Sequence, residues 1–385
     1  MTSVEKNKRP LKIVCLTPHL FIGGAERLMI DIFSRLDRRQ FEPYWCCLSA
    51  GSSDAKAWQQ ELAVANIKVK VLSTWPRQRL QLVRFWRAMV LAMRLWRYLW
   101  QIKPDILQTQ LLADVYRPIG RLAGVKKIVG IEHNIDQDEV GLTIWLKKIN
   151  RWSVDQIIAV SEAVKQDIRQ RYHYPAGKIE VIYNGIDWNK FYRPLNNRLW
   201  PAGDDQVWQI GAIGRLTKQK GFDILIQALA QLPTEIRYQC SIAGTGQQAV
   251  MLQELIERFK LSDKVKLVGH QADVPAFFKS LDVLIVPSRW EGLGLVVLEA
   301  GAAGVPVIAS AVDGIKEIIT HQVNGYLIPP GDIKKWVDNL AEILSGNQSQ
   351  QLSMWAVNLQ QRVQDNFFID QTVQSYQQVY NKLVK

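Results

Sequence analysis

The densest concentration of chemistry in this chain is the run Pro287-Ser288-Arg289-Trp290-Glu291-Gly292-Leu293-Gly294-Leu295, continued by Val296-Val297-Leu298-Glu299-Ala300. One glutamate stands in a glycine loop after an apolar strand, and a second follows inside a helix. If that helix begins near Gly294, its first N–H groups have no partner within the helix and can meet an anion. Glu299 then lies about one turn further in. A carboxylate repels a diphosphate but accepts hydrogen bonds from sugar or ribose hydroxyls. The expected division of labour is amides and cations on phosphate, carboxylates on hydroxyls. The alternative for Glu299 is a buried carboxylate capped by structural donors.

The cations are expected from Gly214-Arg215-Leu216-Thr217-Lys218-Gln219-Lys220-Gly221, which directly follows another apolar strand. Arginine presents a fixed fork to phosphate oxygens and lysine a flexible point charge. Arg215 and Lys220 can thus converge on a diphosphate and offset the charge that develops on a leaving group. In the alternative, Lys218 and Lys220 are solvated charges of a polar turn. No catalytic metal is expected, because these cations already supply the positive charge. Asp136-Gln137-Asp138 spells a short acidic pattern used by some metal-dependent transferases, but three common residues in a polar loop say little.

Gly23-Gly24 lies between the first strand and a helix whose first turn holds Glu26. Glycine lets the backbone approach a phosphate closely, although the spacing is not that of a dinucleotide fingerprint. A plain strand-to-helix turn is the other reading. His133, in Gly130-Ile131-Glu132-His133-Asn134, is expected on a loop at the ligand edge of the first sheet. There an imidazole can bind a sugar or orient a reacting hydroxyl, or it can be structural. His270 is placed to frame a nucleotide base, and His19 lies near the glycine pair. His173 and His321 are expected to be peripheral.

These loops require sheets to present them. Strands are expected at Leu11–Thr17, Tyr44–Leu48, Val69–Leu72, Ile106–Gln108, Lys127–Gly130, Gln156–Val160 and Lys178–Ile182, with helical stretches between several of them. After a Pro/Gly/Asn/Asp-rich break at about 193–205, a second set follows at Val207–Ile213, Tyr238–Ala243, Val265–Val268, Val283–Pro287 and Pro306–Ala309. The fold class is α/β, with two doubly wound, Rossmann-like domains facing a cleft. Residues 1–195 form the N-terminal, acceptor-side domain and 206–364 the nucleotide-binding domain. A C-terminal helix at 365–385 is expected to return to the first domain, although its periodicity alone does not set that destination.

At 385 residues, 48% hydrophobic and 22% charged, the composition is that of a folded globular protein, and two domains fit the length. No signal peptide or membrane-spanning run is evident, so a cytoplasmic location is expected. The four cysteines have neither zinc-ligand nor disulfide spacing and read as buried thiols. Charge is unevenly placed. The first 200 residues carry 32 Lys+Arg against 18 Asp+Glu, and the remainder 16 against 18. A basic half invites an anionic partner: nucleic acid, acidic glycan or anionic lipid.

The chain resembles the retaining glycosyltransferases of family 4, or group 1, which have the GT-B fold. The motifs that carry the resemblance run in the family's order over nearly the whole chain. They are Gly23-Gly24-Ala25-Glu26-Arg27, Val160-Ser161-Glu162-Ala163-Val164, Tyr183-Asn184-Gly185-Ile186-Asp187 and Gly214-Arg215-Leu216 with Lys220-Gly221. Ala243-Gly244-Thr245-Gly246, the Pro287–Ala300 run and Gly304-Val305-Pro306-Val307-Ile308-Ala309 complete them. The resemblance implies that Glu299 binds donor ribose and that Arg215 and Lys220 bind the diphosphate. It implies that Glu291, with Gly292, Leu293, Gly294 and Leu295, contacts the transferred sugar or diphosphate, and that His133 contacts the sugar. Gly24 would offer its backbone to phosphate or reacting groups, while Ser161 has the least defined role. Such enzymes retain configuration without an agreed protein nucleophile, so Glu291 is not assigned as one. Leu293 replaces a common aromatic residue, and Gly244-Thr245-Gly246 lacks the usual acidic-proline ending. The donor is expected to be a UDP-sugar, with no other cofactor, and the acceptor a glycan or lipid in lipopolysaccharide, capsule, exopolysaccharide or glycolipid assembly.

On the acceptor side, no acidic residue occurs between Glu61 and Asp105, while Arg77, Arg79, Arg84, Arg87, Arg94 and Arg97 accumulate beside tryptophans. A helical projection gathers Leu82, Phe85, Trp86, Met89, Met93, Trp96 and Trp100 on one side. Residues 77–100 thus suit an anionic membrane surface at the cytoplasmic face of the inner membrane, or an apolar face that packs on the sheet. A basic nucleic-acid-binding protein is the competing non-enzyme reading, but it leaves Arg215, Lys220, Glu291 and Glu299 unexplained, and no nucleic-acid partner is expected. A GT-B epimerase or phosphorylase is the competing enzyme.

Overall fold

The structure, a computed structural model, describes residues 9–19, 23–50, 55–73, 81–135, 141–195, 207–345 and 348–385. Its contacts divide into two compact units, one of residues 1–184 with 369–385 and the other of 185–368.

The first unit alternates strand and helix: β1 (Leu11–His19), α1 (Gly24–Ser34), β2 (Phe41–Ser49), α2 (Ala55–Val64), β3 (Lys68–Val71), α3 (Gln81–Ile102) and β4 (Ile106–Gln110). It continues with α4 (Arg117–Leu122), β5 (Lys127–Glu132), α5 (Gly141–Asn150), β6 (Gln156–Ala159), α6 (Glu162–Tyr172) and β7 (Ile179–Val181). All strands pair in parallel in the order β3-β2-β1-β4-β5-β6-β7. β1 is a mostly apolar run, and β4 is buried throughout although it ends in Gln108, Thr109 and Gln110, because helices cover both faces of such a sheet.

The second unit opens with α7 (Trp188–Phe191), whose Phe191 packs edge-on against Phe278. Then follow β8 (Trp208–Ile213), α8 (Phe222–Leu229), β9 (Tyr238–Ala243), α9 (Ala249–Arg258), β10 (Val265–Gly269), α10 (Val274–Lys279) and β11 (Val283–Val286). α11 (Leu295–Ala302), β12 (Val307–Ser310), α12 (Asp313–Lys316), β13 (Tyr326–Ile328), α13 (Ile333–Leu344) and α14 (Ser349–Asn366) complete it. The sheet is again parallel, in the order β10-β9-β8-β11-β12-β13. Every expected strand is present. β13, too short to show a period, was not expected.

The last helix, α15 (Ile369–Val384), belongs to the first unit. Its stripe of Ile369, Val373, Tyr376, Val379 and Tyr380 is buried, and α1 is among its neighbours. Polar bonds set its register. Thr372 donates to the Tyr183 carbonyl at 2.9 Å, Gln377 accepts from the Asp37 amide at 2.9 Å, and the Tyr380 hydroxyl donates to Gln108 of β4.

In both sheets the strand order reverses at one point, β1/β4 in the first and β8/β11 in the second. Loops leaving the carboxyl ends on either side of such a point diverge and leave room for a ligand. The Gly23-Gly24 loop leaves β1 and Gln110 closes β4. The Gly214–Gly221 loop leaves β8 and the Pro287–Gly294 loop leaves β11.

Candidate functional site

At the β8/β11 point the structure joins two of the expected residues directly. Lys220 Nζ lies 2.6 Å from Glu291 Oε1, and the Ser288 hydroxyl donates to the same oxygen at 2.7 Å. Glu291 is 5% and Lys220 16% exposed in their side chains, so the pair is largely withdrawn from water. The lysine stem runs past Gly214, where a Cβ would stand 3.3 Å from Lys220 Cε. Gln219 ties the two loops from beneath: its amide donates to the Trp290 carbonyl at 3.1 Å, and its own carbonyl accepts from the Arg289 N–H at 2.7 Å. Arg289 turns away and forms a two-pronged pair with Asp223 of α8, at 2.8 and 2.7 Å. It is a strut between loop and helix. Arg215 and Lys218 are the exposed cations of this loop.

Close backbone approaches hold these loops. Gly244 has φ +135° and sits on the Gly214 carbonyl, where a Cβ would meet that carbon at 2.9 Å. Leu216 N–H donates to the Thr245 carbonyl at 2.9 Å and Gln248 N–H to the Leu216 carbonyl at 3.0 Å. The Gly244-Thr245-Gly246 segment is thus a clasp on the Arg215 loop. Gly314 of α12 fits under the Glu291 and Gly292 carbonyls, each 2.5 Å from where its Cβ would be. Gly244→Ala is expected to cost about 2 kcal/mol from the positive φ alone. In thermal melting that corresponds to a fall of about 4–8 °C in the midpoint of a unit this size; an unchanged midpoint would refute the clasp.

α11 starts at Leu295 with Gly294 as its N-cap in the left-handed region, at φ +92°. Glu299 is half-buried just beyond the first turn, and Leu293 is buried. His270 is exposed, directly after Gly269 at the end of β10, and the Gly269 carbonyl accepts from Gly244 N–H at 2.7 Å. His270 therefore borders the clasp, not the Lys220–Glu291 pair. Sequence reasoning did not assign Ser288, Gln219, Asp223 or Gly314. Each acts through a partner distant in sequence or through a backbone approach, neither of which leaves a local pattern.

In the first unit His133 follows β5 and is 6% exposed, with Nε2 2.9 Å from Gln110 Oε1. The Gln110 amide nitrogen points at Cys15 Sγ, 3.8 Å away, as does that of Gln108. Tyr380 donates to the Gln108 carbonyl oxygen, so the NH2 end of Gln108 must face the sulfur. With both amides presenting NH2 to Cys15, Gln110 turns its carbonyl to His133. A carbonyl only accepts, so Nε2 carries the proton. Nδ1, buried and without a partner among the described residues, keeps its lone pair. Burial lowers the His133 pKa from 6.5 to about 4, opposed by Asp114. As pH falls below 6.5 the unfolded chain takes up a proton that the folded chain refuses, so this histidine's contribution to stability is lost toward pH 4.

Beneath His133 lies a buried charged network. Arg117 pairs with Asp114 at 2.5 Å and stands 3.9 Å from Glu132, while Lys147 reaches Glu132 at 3.5 Å. Arg117 also donates to Thr109 at 2.8 Å and Tyr174 at 3.1 Å. Burial pushes the Glu132 carboxyl up, against the pull of Lys147 and Arg117. A Cβ on Gly130 would intrude on this guanidinium. No sequence pattern announced the network.

The remaining expected residues separate. Gly23 is the N-cap of α1, and the Glu26 carboxylate folds back to within 2.5 Å of where a Gly23 Cβ would lie, so this chain's own anion stands at that helix end. Ser161 caps α6 by accepting from Val164 N–H at 3.1 Å. His173 ends α6 in the left-handed conformation, and His321 accepts from Leu327 N–H at 3.1 Å. Asp136-Gln137-Asp138 lies outside the described residues, as does the His19 side chain. All four cysteines are free and buried.

Known proteins resemble this chain in sequence and fold. The family described as Glycosyltransferase Family 4 matches residues 22–190, and Glycosyl transferases group 1 matches residues 202–360, together most of the chain. An uncharacterized glycosyltransferase of Methanocaldococcus jannaschii is 36% identical over 183 residues, 46% of this chain and 47% of that one. The lipopolysaccharide core biosynthesis mannosyltransferase LpsB of Rhizobium meliloti is 32% identical over 216 residues, 53% of this chain and 61% of that one. The match thus spans less than two thirds of either relative's length. Among solved structures, Anabaena HepE in complex with UDP and glucose aligns with a TM-score of 0.80 at 23% identity, covering 97% of this chain and 100% of that one. Two parallel-sheet units, glycine-clasped loops at the second switch point and these matches lead to one assignment: the chain belongs to the GT-B glycosyltransferases of family 4, group 1.

Proposed function

We propose that this protein transfers a sugar, with retention of configuration, from a nucleotide-diphosphate sugar to a glycan or lipid-linked acceptor in cell-surface polysaccharide or glycolipid synthesis. The observation that carries the reading is the Lys220–Glu291 pair at the β8/β11 point. A largely buried ammonium held by a carboxylate can exchange that partner for an arriving diphosphate, and Glu291 is then available to sugar hydroxyls. Arg215 adds a second cation from the exposed side, and the amides of Gly292, Leu293, Gly294 and Leu295 face the phosphate end. Glu299 takes ribose hydroxyls and His270 borders the base. His133, with its Nδ1 lone pair, takes a hydroxyl of the sugar, and Gly23 and Gly24 line the acceptor side. UDP is the proposed nucleotide, in keeping with the UDP and UDP-glucose complexes of HepE. The relatives' names differ on the sugar, mannose for LpsB and glucose for the HepE ligand.

Incubation with UDP-, GDP- and ADP-sugars and a membrane lipid extract, followed by mass spectrometry, tests the activity. Released nucleotide with a new glycoside supports it. An epimer or a sugar phosphate would instead favour an epimerase or phosphorylase, and no donor use across the panel would reject transfer. Glu299→Gln is expected to raise the donor KM by about tenfold, the equivalent of one hydrogen bond to a charged group. Unchanged donor kinetics would remove Glu299 from the site.

A peripheral position at the cytoplasmic face of the inner membrane is proposed from α3. Leu95 and Leu99 form its fully buried stripe, whereas Trp86, Met89, Met93, Trp96 and Trp100 are exposed, Trp86 by 64%. This part of the aromatic face is thus open to a partner; residues 77–80 and the side chains of Leu82, Arg84 and Phe85 lie outside the described residues. No helix among the described residues is long and apolar enough to cross a membrane.

A further inference from the structure

We propose that the exposed face of α3 is one part of a larger aromatic and basic surface, continued by α4, α5 and the turn Arg151–Ser153, and that this whole surface docks on an anionic lipid bilayer. The inference rests on the peripheral-membrane reading and extends it to elements that the sequence did not single out.

Contacts join the pieces. The Trp96 indole N–H donates to the Leu122 carbonyl at 3.3 Å, linking α3 to the end of α4. Arg121 of α4 donates to the Ser153 carbonyl at 3.1 Å, linking α4 to the turn that extends α5. Along this row large apolar side chains stay in water: Leu122 is 78%, Trp145 57% and Trp152 62% exposed, and Ile149 is exposed beside them. Scattered single apolar residues on a surface need no explanation, but a joined row with several tryptophans does.

Charge identifies the occupant. Residues 81–103, 117–127 and 141–153 contain twelve Lys+Arg and no Asp or Glu. Among the described side chains, Arg117 and Lys147 are turned inward, into the network beneath His133, and Arg121 is paired with Asp155 at 2.5 Å. A second copy of the chain would set this basic face against its like, which is repulsive. Nucleic acid would satisfy the arginines and stack on the tryptophans but leave Met93, Leu122 and Ile149 without an apolar partner. A bilayer with anionic headgroups meets all three demands: acyl chains for the aliphatic groups, the interface for tryptophan, phosphate for the cations. The placement also suits a lipid-borne acceptor. α3 and α5 begin after the carboxyl ends of β3 and β5, the sheet edge at which His133 lies, so Trp86 and Trp145 are at the end of the row nearest that edge.

The test uses the full chain and vesicles of phosphatidylcholine with or without phosphatidylglycerol. One variant carries Trp86→Ser, Met93→Ser and Trp100→Ser; the other carries Leu122→Ser, Trp145→Ser and Trp152→Ser. Because all six side chains are exposed, folding should survive, and hydrolysis of soluble nucleotide sugar is followed as the control. Each variant is expected to lose at least about tenfold in partition to anionic vesicles. A dye on Ile149→Cys, the native cysteines being buried, should be quenched by brominated lipid. Loss in the α3 variant alone would overturn the extended surface while keeping membrane association through α3. No loss in either would overturn both. Self-association, or RNA binding, that the second variant abolishes while vesicle partition stays intact would assign the face to another partner and overturn the proposal.

Discussion

Lys220→Ala is expected to lower the turnover of nucleotide sugar by about a hundredfold to a thousandfold, the usual loss when one preorganised stabiliser of a developing negative charge is removed. The variant should also melt earlier, because Glu291, 5% exposed, keeps only Ser288 as a described partner. Breaking a buried pair from one side costs about 3–5 kcal/mol. Lys220 retains some solvent access, so the lower end applies. The two losses can be separated. Lys220→Met combined with Glu291→Leu removes both charges and leaves apolar groups of similar length, which is often neutral for stability. That double variant should recover the melting temperature and remain inactive. Recovery of both would make the pair purely structural; an active Lys220→Ala would remove it from the donor site.

Gln110→Glu is expected to change the protonation of His133. A carboxylate in place of the amide that now accepts from Nε2 would favour the imidazolium, and an opposite charge at hydrogen-bond range shifts a pKa by about 1–3 units. The starting point is a histidine held at about 4 by burial, with Asp114 as the charged group that opposes the shift. The acid limb of the kcat/KM profile should move up by about the same 1–3 units, because an imidazolium has no Nδ1 lone pair to offer a sugar hydroxyl. Raising the pH should restore activity. Nitrogen-15 spectra of His133 should report Nε2–H in the native protein and the doubly protonated ring in the variant near neutrality. A native Nδ1–H tautomer would refute the Tyr380–Gln108–Cys15–Gln110 chain. A variant that is slower by the same factor at every pH would leave Gln110 with a packing role only.

Much of this molecule is legible along the chain because its signals are local. An apolar run that ends in glycine and polar residues marks a buried parallel strand and the loop at its carboxyl end. Repeating this twice predicts two doubly wound sheets, the family motifs and the placement of Arg215, Lys220, Glu291 and Glu299 on loops or helix starts at one edge. The buried stripe of α15 is equally local. Its partner is not: an amphipathic helix fits any complementary groove, and Thr372, Gln377 and Tyr380 choose this one through bonds to residues far away in sequence. On α3 the projection found the aromatic stripe but could not tell exposure from packing, since the helix has two apolar stripes and the sheet covers only one.

What the sequence determined by itself is therefore the periodicity and the inventory: which segments become strands and helices, and which charges and glycines occupy their ends. The tertiary structure alone decided the pairings. Lys220 met Glu291, Arg289 turned away to Asp223, Glu26 took the helix end beside Gly23, and His133 acquired its proton position through a tyrosine almost at the end of the chain. The reason is physical. Backbone preference and burial act over a few residues, whereas the partner of a buried polar group is set by whichever distant segment the fold brings within about 3 Å of it.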